Sequence, residues 1–342
     1  MRPIAALPKS HLHLHFTGSM RHSTLLELAE RDGIRLPSSL VDEWPPELST
    51  MDEKGWFRFQ RLYDVARSVL RTEDDVSRLV LEAALDDAAD GSVWTEIQVD
   101  PSGYGARFGG ITAFTDLVID AVRDASDRAG IGMGLVVAAN RTRHPLDART
   151  LARLAAQYAG RGVLGFGLSN DERRGDTASF APAFAIAERA GLALVPHGGE
   201  LRGADHITQC LDHLHPDRLG HGVRAAESPA ILDRLAASGV ALEVCPTSNV
   251  SLGVFSTLEE VPVRTLVDAG IDVALGSDDP LLFGSDLASQ YRVLRVAQYF
   301  SDVELADLAR MSLRRSYAGP ERLGPALAAV DAWLATPSSK EG

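Results

Sequence analysis

Short apolar runs rich in β-branched residues alternate along this chain with stretches in which apolar residues recur every three to four positions. The runs have the length of buried strands and lie at 93–99, 133–138, 163–168, 192–197, 219–221, 242–245 and 271–276. The segment 11–15, HLHLH, alternates with period 2 and predicts one more strand at the start. The stretches between the runs have the spacing of amphipathic helices, as at Leu62, Val65, Ala66, Val69 and Leu70.

Eight strands, each followed by a helix, are typical of a (β/α)8 TIM barrel, which is an α/β fold. Gly191, Gly239 and Gly270 stand just before three of the predicted strands, where a glycine ends the preceding helix. A doubly wound sheet would carry a glycine-rich turn after its first strand. Residues 16–19 read FTGS instead, so we predict a barrel, formed as a single domain over residues 1–342.

Two segments fall outside the strand and helix alternation. Residues 36–50 contain three prolines and three serines, and we expect them, with additional helices, to run over the carboxyl-terminal face of the barrel. The last residues, 336–342, are polar and small, and we expect them to be disordered.

Composition excludes several classes of protein. The 342 residues are 45% hydrophobic and 24% charged, as in globular proteins that can bury a core. The net charge of −13 argues against a surface for nucleic acid. Two cysteines without metal-type spacing favour a reducing compartment. We find no signal-type segment and no apolar run long enough to span a membrane, so we expect a cytoplasmic protein; the oligomeric state stays open.

Histidines and carboxylates follow several of the predicted strands. His13 and His15 are two apart on the first strand and therefore point to the same side. His197 ends the fifth strand, and Asp278 follows the eighth. In a parallel barrel these strand ends meet on one face, so the spacing predicts a single composite site. Imidazole and carboxylate ligands are typical of a hard or borderline divalent metal, and zinc is the best match.

Three further polar residues fall at strand ends. Glu200 follows His197 after two glycines, His221 lies between glycines, and Asp279 follows Asp278 directly. Each pattern taken alone also fits an ordinary surface turn, since Asp-Asp-Pro and paired glycines favour turns. Their joint occurrence at strand ends favours a catalytic site. His11 shares the side of His13 and His15, and nothing in the pattern makes it a ligand.

The segments PKSHLHLHFTGS, LSNDE, HGGE, RLGHGV, EVCPTSN and GSDDPLLF occur in this order along the chain. With them the sequence resembles the adenosine deaminase family of zinc barrels. The resemblance implies one Zn²⁺ per chain, with the ligands His13, His15, His197 and Asp278. The pattern of cytidine-type zinc deaminases, HxE with PCxxC, is absent from the sequence. The fourth strand ends without a lysine that could bridge two metals, which favours a single ion.

The resemblance also implies a reaction, the hydrolysis of a 6-aminopurine nucleoside to the 6-oxo product and ammonia. In that reaction Glu200 donates a proton to the purine N1, His221 and Asp278 orient the attacking water, and Asp279 binds N7. The backbone of Asn170 would contact N3, where the family has a glycine. Asparagine tolerates a positive φ better than most residues, so this contact is expected to persist.

Two departures from the family pattern bear on the substrate. Thr17 stands where the family has an acidic residue that contacts the ribose 5′-hydroxyl in adenosine deaminases, and where adenine deaminases have a glutamate. Five arginines follow the second, third and fourth predicted strands, namely Arg107, Arg141, Arg143, Arg173 and Arg174. In an acidic protein they suit a substrate carboxylate or phosphate, although solvated surface arginines remain the alternative.

These departures favour a nucleoside that is modified at the 5′ position and carries a carboxylate. Within the wider family, 6-aminodeoxyfutalosine of menaquinone biosynthesis has this chemistry. The alternatives are adenosine or another 5′-modified adenosine, then an amide or ester hydrolysed by a related zinc barrel, then a binding protein without activity. The predicted substrate-binding residues are Thr17, Gly18, Asn170, Asp279, Arg141, Arg143 and Arg173.

Overall fold

Eight parallel β-strands form a barrel in the computed structural model, which describes residues 1–50 and 52–337. They are β1 Lys9–His15, β2 Ser92–Val99, β3 Gly132–Asn140, β4 Val163–Ser169, β5 Ala193–Gly198, β6 Arg218–His221, β7 Ala241–Val244 and β8 Val273–Leu275. Each strand pairs with the next in sequence. Backbone hydrogen bonds from His15 to Asp278 (2.9 Å) and from Asp278 to His13 (3.1 Å) join the end of β8 to β1. The predicted TIM barrel is confirmed.

Fourteen α-helices surround the strands in the described part of the chain. They are α1 His22–Arg31, α2 Glu53–Ser68, α3 Glu73–Ala89, α4 Ile111–Ala129, α5 Pro145–Gln157, α6 Ala181–Arg189, α7 Ala204–Leu214, α8 Pro229–Ser238, α9 Pro246–Ser251, α10 Val263–Asp268, α11 Pro280–Phe283, α12 Leu287–Ala297, α13 Asp302–Arg315 and α14 Pro320–Ala335. Their ends follow local sequence rules: Thr72 and Ser301 form capping boxes at α3 and α13. Gly239 ends α8 with φ +71°, as its position predicts.

No helix in residues 1–50 and 52–337 is long and apolar enough to cross a bilayer.

A chain of buried charges fills the barrel beneath its carboxyl-terminal face. Arg218 donates from Nε to Glu243 (2.6 Å) and from Nη2 to Glu96, and all three side chains are at most 2% exposed. At the opposite end of the barrel, Arg218 also donates to the carbonyl of Arg315 (2.8 Å), and Glu96 accepts from the Tyr317 amide (3.2 Å). Buried charges need such partners, because isolated ions are costly to remove from water. The network therefore joins the C-terminal end of α13 to the barrel interior.

The segment 36–50 runs over the carboxyl-terminal face, as its composition predicts. Trp44 stacks on His22 with ring centroids 4.5 Å apart and donates from its indole to the carbonyl of Leu281 (2.7 Å). Thr50 donates its amide to Leu252 (2.8 Å). Helix α2 begins at Glu53 and continues this cover over the face that carries the strand ends.

The chain end was predicted to be disordered, and most of that segment, residues 338–342, lies outside the described part. Thr336 lies inside it and accepts a hydrogen bond from Arg2 through its carbonyl (2.8 Å). The single domain predicted over 1–342 stays a prediction.

Candidate active site

Three histidines and one aspartate meet at the carboxyl-terminal end of the barrel. The ligand nitrogens of His13, His15 and His197 all lie within 4.8 Å of one another. His15 Nε2 is 3.2 Å from His197 Nε2 and 3.1 Å from Asp278 Oδ1, and His13 Nε2 is 3.5 Å from the same oxygen. The structure thus brings together all four residues that the resemblance implies as metal ligands.

A hydrogen bond to Glu243 fixes the orientation of the His13 ring. Its Nδ1 lies 2.8 Å from Glu243 Oε2, and a carboxylate can only accept, so Nδ1 carries the proton. Nε2 is then the bare nitrogen; it is buried and has no hydrogen-bond partner among the described residues. A histidine held by a carboxylate on one nitrogen and bare on the other is typical of a metal ligand.

Asp278 completes the cluster as an anion. Burial alone would raise its pKa, but the neighbouring imidazoles of His13, His15 and His221 hold the pKa of Asp278 well below its usual value. Its Oδ2 accepts from the Ser248 hydroxyl, which leaves Oδ1 toward the histidines. Three imidazole nitrogens and one carboxylate oxygen are a donor set that fits a tetrahedral divalent ion, Zn²⁺ above all.

Backbone strain helps to place two of the side chains. Asp278 and His221 both adopt φ +64°, a left-handed conformation that non-glycine residues seldom take. Such strain persists where the surroundings impose it, and it is common at functional sites. At Asp278 the backbone bonds to β1 impose it, so the side chain turns over the barrel axis instead of continuing the strand.

His11 supports this turn without joining the cluster. Its Nε2 accepts from the Ser277 amide (3.0 Å), so Nδ1 carries the proton and donates to Asp87 (2.9 Å). Asp87 also accepts from the Thr95 hydroxyl (2.5 Å). His11 therefore holds the residue that precedes Asp278.

Glu200 is a buried carboxyl group beside the cluster. Burial, assisted by the nearby Asp278 and Glu172 carboxylates, raises the pKa of Glu200 well above its usual value. The amide of Asn249 lies 3.5 Å from Glu200 Oε1 and 3.3 Å from His221 Nδ1. Burial lowers the pKa of His221 to about 4. The site therefore places a carboxyl group that favours its protonated form next to an imidazole that favours its neutral form.

The loop that carries Glu200 is held by Glu172. This buried carboxylate accepts the backbone amides of Glu200 (3.1 Å), Leu201 (3.0 Å) and Arg202 (2.9 Å). Burial raises its pKa, but the hydrogen bond from His206, further charges and these amides outweigh burial and lower the pKa of Glu172 to about 2. An ionised acceptor thus fixes the backbone behind the protonated Glu200.

Asp279 directly follows Asp278, beyond the end of β8. Burial raises the pKa of Asp279 to about 7, and its Oδ1 has no hydrogen-bond partner among the described residues. A Cβ atom at Gly18 would lie 1.7 Å from that oxygen. Gly18 therefore makes room for Asp279, while Thr17 beside it bonds through its hydroxyl to the Tyr104 hydroxyl.

A cleft of about 760 Å³, including its open mouth, leads to these groups. Its roof is helix α2, from which Trp56, Phe59, Gln60, Tyr63 and Arg67 line the space. Asn170 lines the opposite wall with φ +82° and donates from its side chain to Gln60 Oε1 (3.0 Å). The proposed metal ligands His15, His197 and Asp278 therefore share one cleft with helix α2.

The three loop arginines predicted to bind substrate are not among the residues that line this cleft in the described structure. Arg141 is buried behind the site, where it donates to the carbonyl of His197 (2.7 Å). Arg143 is exposed on the loop after β3. Arg173 joins the rim segments by donating to Asp171 (2.7 Å) and to the carbonyl of Thr50 (2.9 Å). Their substrate-binding role stays a prediction, because loop position alone does not tell whether a guanidinium reaches a ligand in the cleft.

Several supporting residues were missed although their letters stood in the quoted motifs. Glu172 belongs to LSNDE, Asn249 to EVCPTSN, and Glu243 interrupts an apolar strand, which is itself a sign of a buried partner. For Tyr104 and Arg67 the sequence holds no comparable signal. Their place in the cleft depends on how α2 and the loop after β2 pack together.

Comparison with known proteins gives consistent matches along the chain. The family model described as adenosine deaminase matches residues 8–333. A putative adenosine/adenine deaminase of Streptomyces virginiae is 58% identical over 97% of this chain and 98% of its own. An adenine deaminase of Rhizobium leguminosarum bv. trifolii is 35% identical over 92% of this chain and 96% of its own. The crystal structure of an adenine deaminase from Arthrobacter aurescens superimposes with a TM-score of 0.88 at 30% identity, covering 98% of this chain and 100% of that one.

Proposed function

Because this chain belongs to the adenosine deaminase family and is a hydrolytic deaminase, we propose that it acts on a 6-aminopurine nucleoside with a modified, carboxylate-bearing 5′ position. The proposed reaction joins a water oxygen to C6, breaks the C6–N6 bond, and releases ammonia with the 6-oxo purine. The observation that carries the proposal is the position of the buried Glu200, whose carboxyl oxygen lies within 4.8 Å of the ligand atoms of His221 and Asp278.

The family and the donor set support a metal cofactor, and we propose one Zn²⁺ per chain held by His13, His15, His197 and Asp278. The buried bare Nε2 of His13 is the observation that fits it. When bound, the ion supplies an acidified water as the nucleophile.

The side chains around the metal-type cluster each have a separate role in the proposed reaction. Glu200 holds its proton near neutral pH and donates it to the purine N1 as C6 is attacked, which keeps negative charge from building up on the ring. His221 and Asp278 accept hydrogen bonds from the attacking water and fix its direction. Asp279, which lines the cleft, binds N7 by donating from its protonated carboxyl group. The Asn170 backbone amide at φ +82° serves N3.

The 5′ end of the substrate is assigned from Thr17. This position carries a hydroxyl, engaged by Tyr104, in place of the family's carboxylate, so that acceptor for a ribose 5′-hydroxyl is missing. This favours a 5′-modified nucleoside, and 6-aminodeoxyfutalosine of menaquinone biosynthesis is our leading substrate. Adenosine and adenine are the second candidates, since the relatives named above are called adenosine/adenine or adenine deaminases.

The test is ammonia release by zinc-loaded protein on adenine, adenosine, 5′-deoxyadenosine, AMP and 6-aminodeoxyfutalosine. We expect the highest kcat/KM on 6-aminodeoxyfutalosine. A higher value on adenosine or adenine would refute the 5′ assignment and leave the deaminase chemistry intact. No ammonia from any of them, with the metal content verified, would refute the proposed function as a whole.

A further inference from the structure

One arginine faces the cleft although sequence position gave no reason to select it. Arg67, in the last turn of α2, lines the cleft, and its side chain is 25% exposed. The guanidinium carbon lies 5.2 Å from the ring centroid of Tyr63 and 5.5 Å from that of Tyr104. A Cβ at Gly103 would come within 3.2 Å of the guanidinium, so the absence of a side chain there leaves space for it.

The charge of Arg67 is only partly matched by protein groups. Its Nη1 contacts Asp64 at 3.2 Å, on the solvent side, where the Asp64 side chain is 55% exposed. Its Nε is buried and has no hydrogen-bond partner among the described residues. Asp100 also lines the cleft, but its Oδ1 is occupied by the amide (2.9 Å) and hydroxyl (2.6 Å) of Ser102. The Arg67 guanidinium therefore has a single carboxylate partner among the described residues, and that partner lies at the solvent side.

The position of Arg67 relates it to the 5′ end of the nucleoside. Tyr104, over which it lies, bonds through its hydroxyl to Thr17, the residue at the 5′ position. Arg107 donates to the backbone carbonyl of Arg67 (3.2 Å) and so fixes the end of α2 from outside. The two tyrosine rings and the helix end hold the guanidinium in place before any ligand arrives.

We propose that Arg67 is the specificity-determining residue that binds the carboxylate of the 5′ substituent. This inference rests on the proposed deaminase function and takes over the role first predicted for the loop arginines. A guanidinium held between aromatic rings presents paired N–H donors that match a carboxylate, and its fixed geometry lowers the entropy lost on binding.

The experiment compares adenosine-5′-carboxylic acid with its neutral carboxamide on zinc-loaded wild type, Arg67→Gln and Arg67→Lys. The two substrates have the same shape, so their ratio reports the charge alone. We expect Arg67→Gln to lower kcat/KM for the acid about 10- to 100-fold, the value of a charge-assisted hydrogen bond, and to leave the amide within about threefold. Arg67→Lys should fall between, since it keeps the charge without the paired donors.

Arg123→Gln, at an exposed pair on α4, is the control and should change neither substrate. Equal losses on both substrates would mean that Arg67 merely supports α2, and no loss on either would mean that it does not meet the substrate; each overturns the inference. The affinities for inosine-5′-carboxylate and for its amide, measured by calorimetry, distinguish a failure of the Arg67 proposal from a failure of the proposed deaminase function. Acid-selective binding that is lost in Arg67→Gln would uphold the role of Arg67 even if the wild type deaminated neither substrate.

Discussion

Gly18 and Asp279 occupy the same small volume: a Cβ atom on Gly18 would stand 1.7 Å from Asp279 Oδ1. Gly18 precedes Ser19 at the end of a short 3-10 turn after β1, while Asp279 follows β8. The chain after the first strand thus meets the chain after the last strand here. Any side chain at position 18 would displace Asp279, the proposed N7 ligand.

Gly18→Ala is therefore expected to lower kcat/KM about 100-fold, the effect of moving a substrate-binding group by about 1 Å. Metal content should be unchanged, because Asp279 is not among the four proposed ligands. Gly324→Ala is the matched control, since a Cβ there meets no atom within 4 Å. Activity within threefold of wild type in Gly18→Ala would show that Asp279 does not need its present position.

Replacement of Glu200 by glutamine removes the proton donor and retains the shape. We expect kcat to fall by about 10²- to 10⁴-fold with zinc retained, as for the loss of a general acid. Ammonia release and metal analysis of the same sample measure both quantities. Glu30→Gln, at an exposed site on α1, controls for the loss of a surface charge. Turnover near the wild-type value in Glu200→Gln would reject the proton-donor assignment.

Glu243→Gln tests the support beneath the metal cluster. It leaves an acceptor for the Nδ1–H of His13 but removes the charge that pairs with Arg218. We expect zinc affinity to drop about 10- to 100-fold, as when the carboxylate behind a ligating histidine is lost. Competition with a chelator of known affinity measures this drop. The exposed Glu259→Gln should bind zinc like the wild type; equal affinities in Glu243→Gln and Glu259→Gln would contradict the role of Glu243.

Glu172 makes a prediction about stability and its dependence on pH. Its folded pKa of about 2 lies below the ordinary value of 4.5, so its stabilisation is present above about pH 4.5 and is lost as pH falls toward 2. Glu172→Gln should lower the free energy of unfolding by about 1–3 kcal/mol near pH 7 and weaken this acid dependence. Urea unfolding between pH 3 and pH 7 measures both effects. If the free energy of unfolding depended on pH in the same way in Glu172→Gln and in the exposed Glu188→Gln, this role of Glu172 would be refuted.

Arg141 and Arg143 differ sharply although they are two residues apart. Arg141→Met removes a buried donor to the carbonyl of His197, and we expect a lower melting temperature and an equal loss of kcat/KM on anionic and neutral nucleosides. Arg143→Met, at an exposed position, should change neither quantity. If kcat/KM fell only for anionic nucleosides in either variant, that arginine would be supported as a substrate-binding residue.

Seven of the eight strands could be predicted from short, mainly apolar runs, and the first from the period-2 alternation of HLHLH. The predicted run at 163–168 corresponds to β4 Val163–Ser169, and 219–221 to β6 Arg218–His221. The strand ends then locate His13, His197 and Asp278 on one face. This much depends only on local pattern and on the closure of the barrel.

What could not be predicted depends on side-chain direction across distant segments. Arg67 and Arg141 are equally polar in the sequence, yet one faces the cleft and the other lies behind His197. The choice is made by the packing of α2 over the strand ends, where Gly103 leaves a space and Tyr104 a surface. No local periodicity encodes such a fit.

The chain of buried charges extends the active centre far beyond the cleft. From His13 it passes through Glu243 and Arg218 to the carbonyl of Arg315, in the last turn of α13. A library for laboratory evolution that varies only cleft-lining positions would leave this chain untouched. We expect random substitutions around residues 315–317, at the far end of the barrel, to include variants with altered metal binding. Their effects on metal affinity should be non-additive with those of substitutions at His13, at the other end of the barrel.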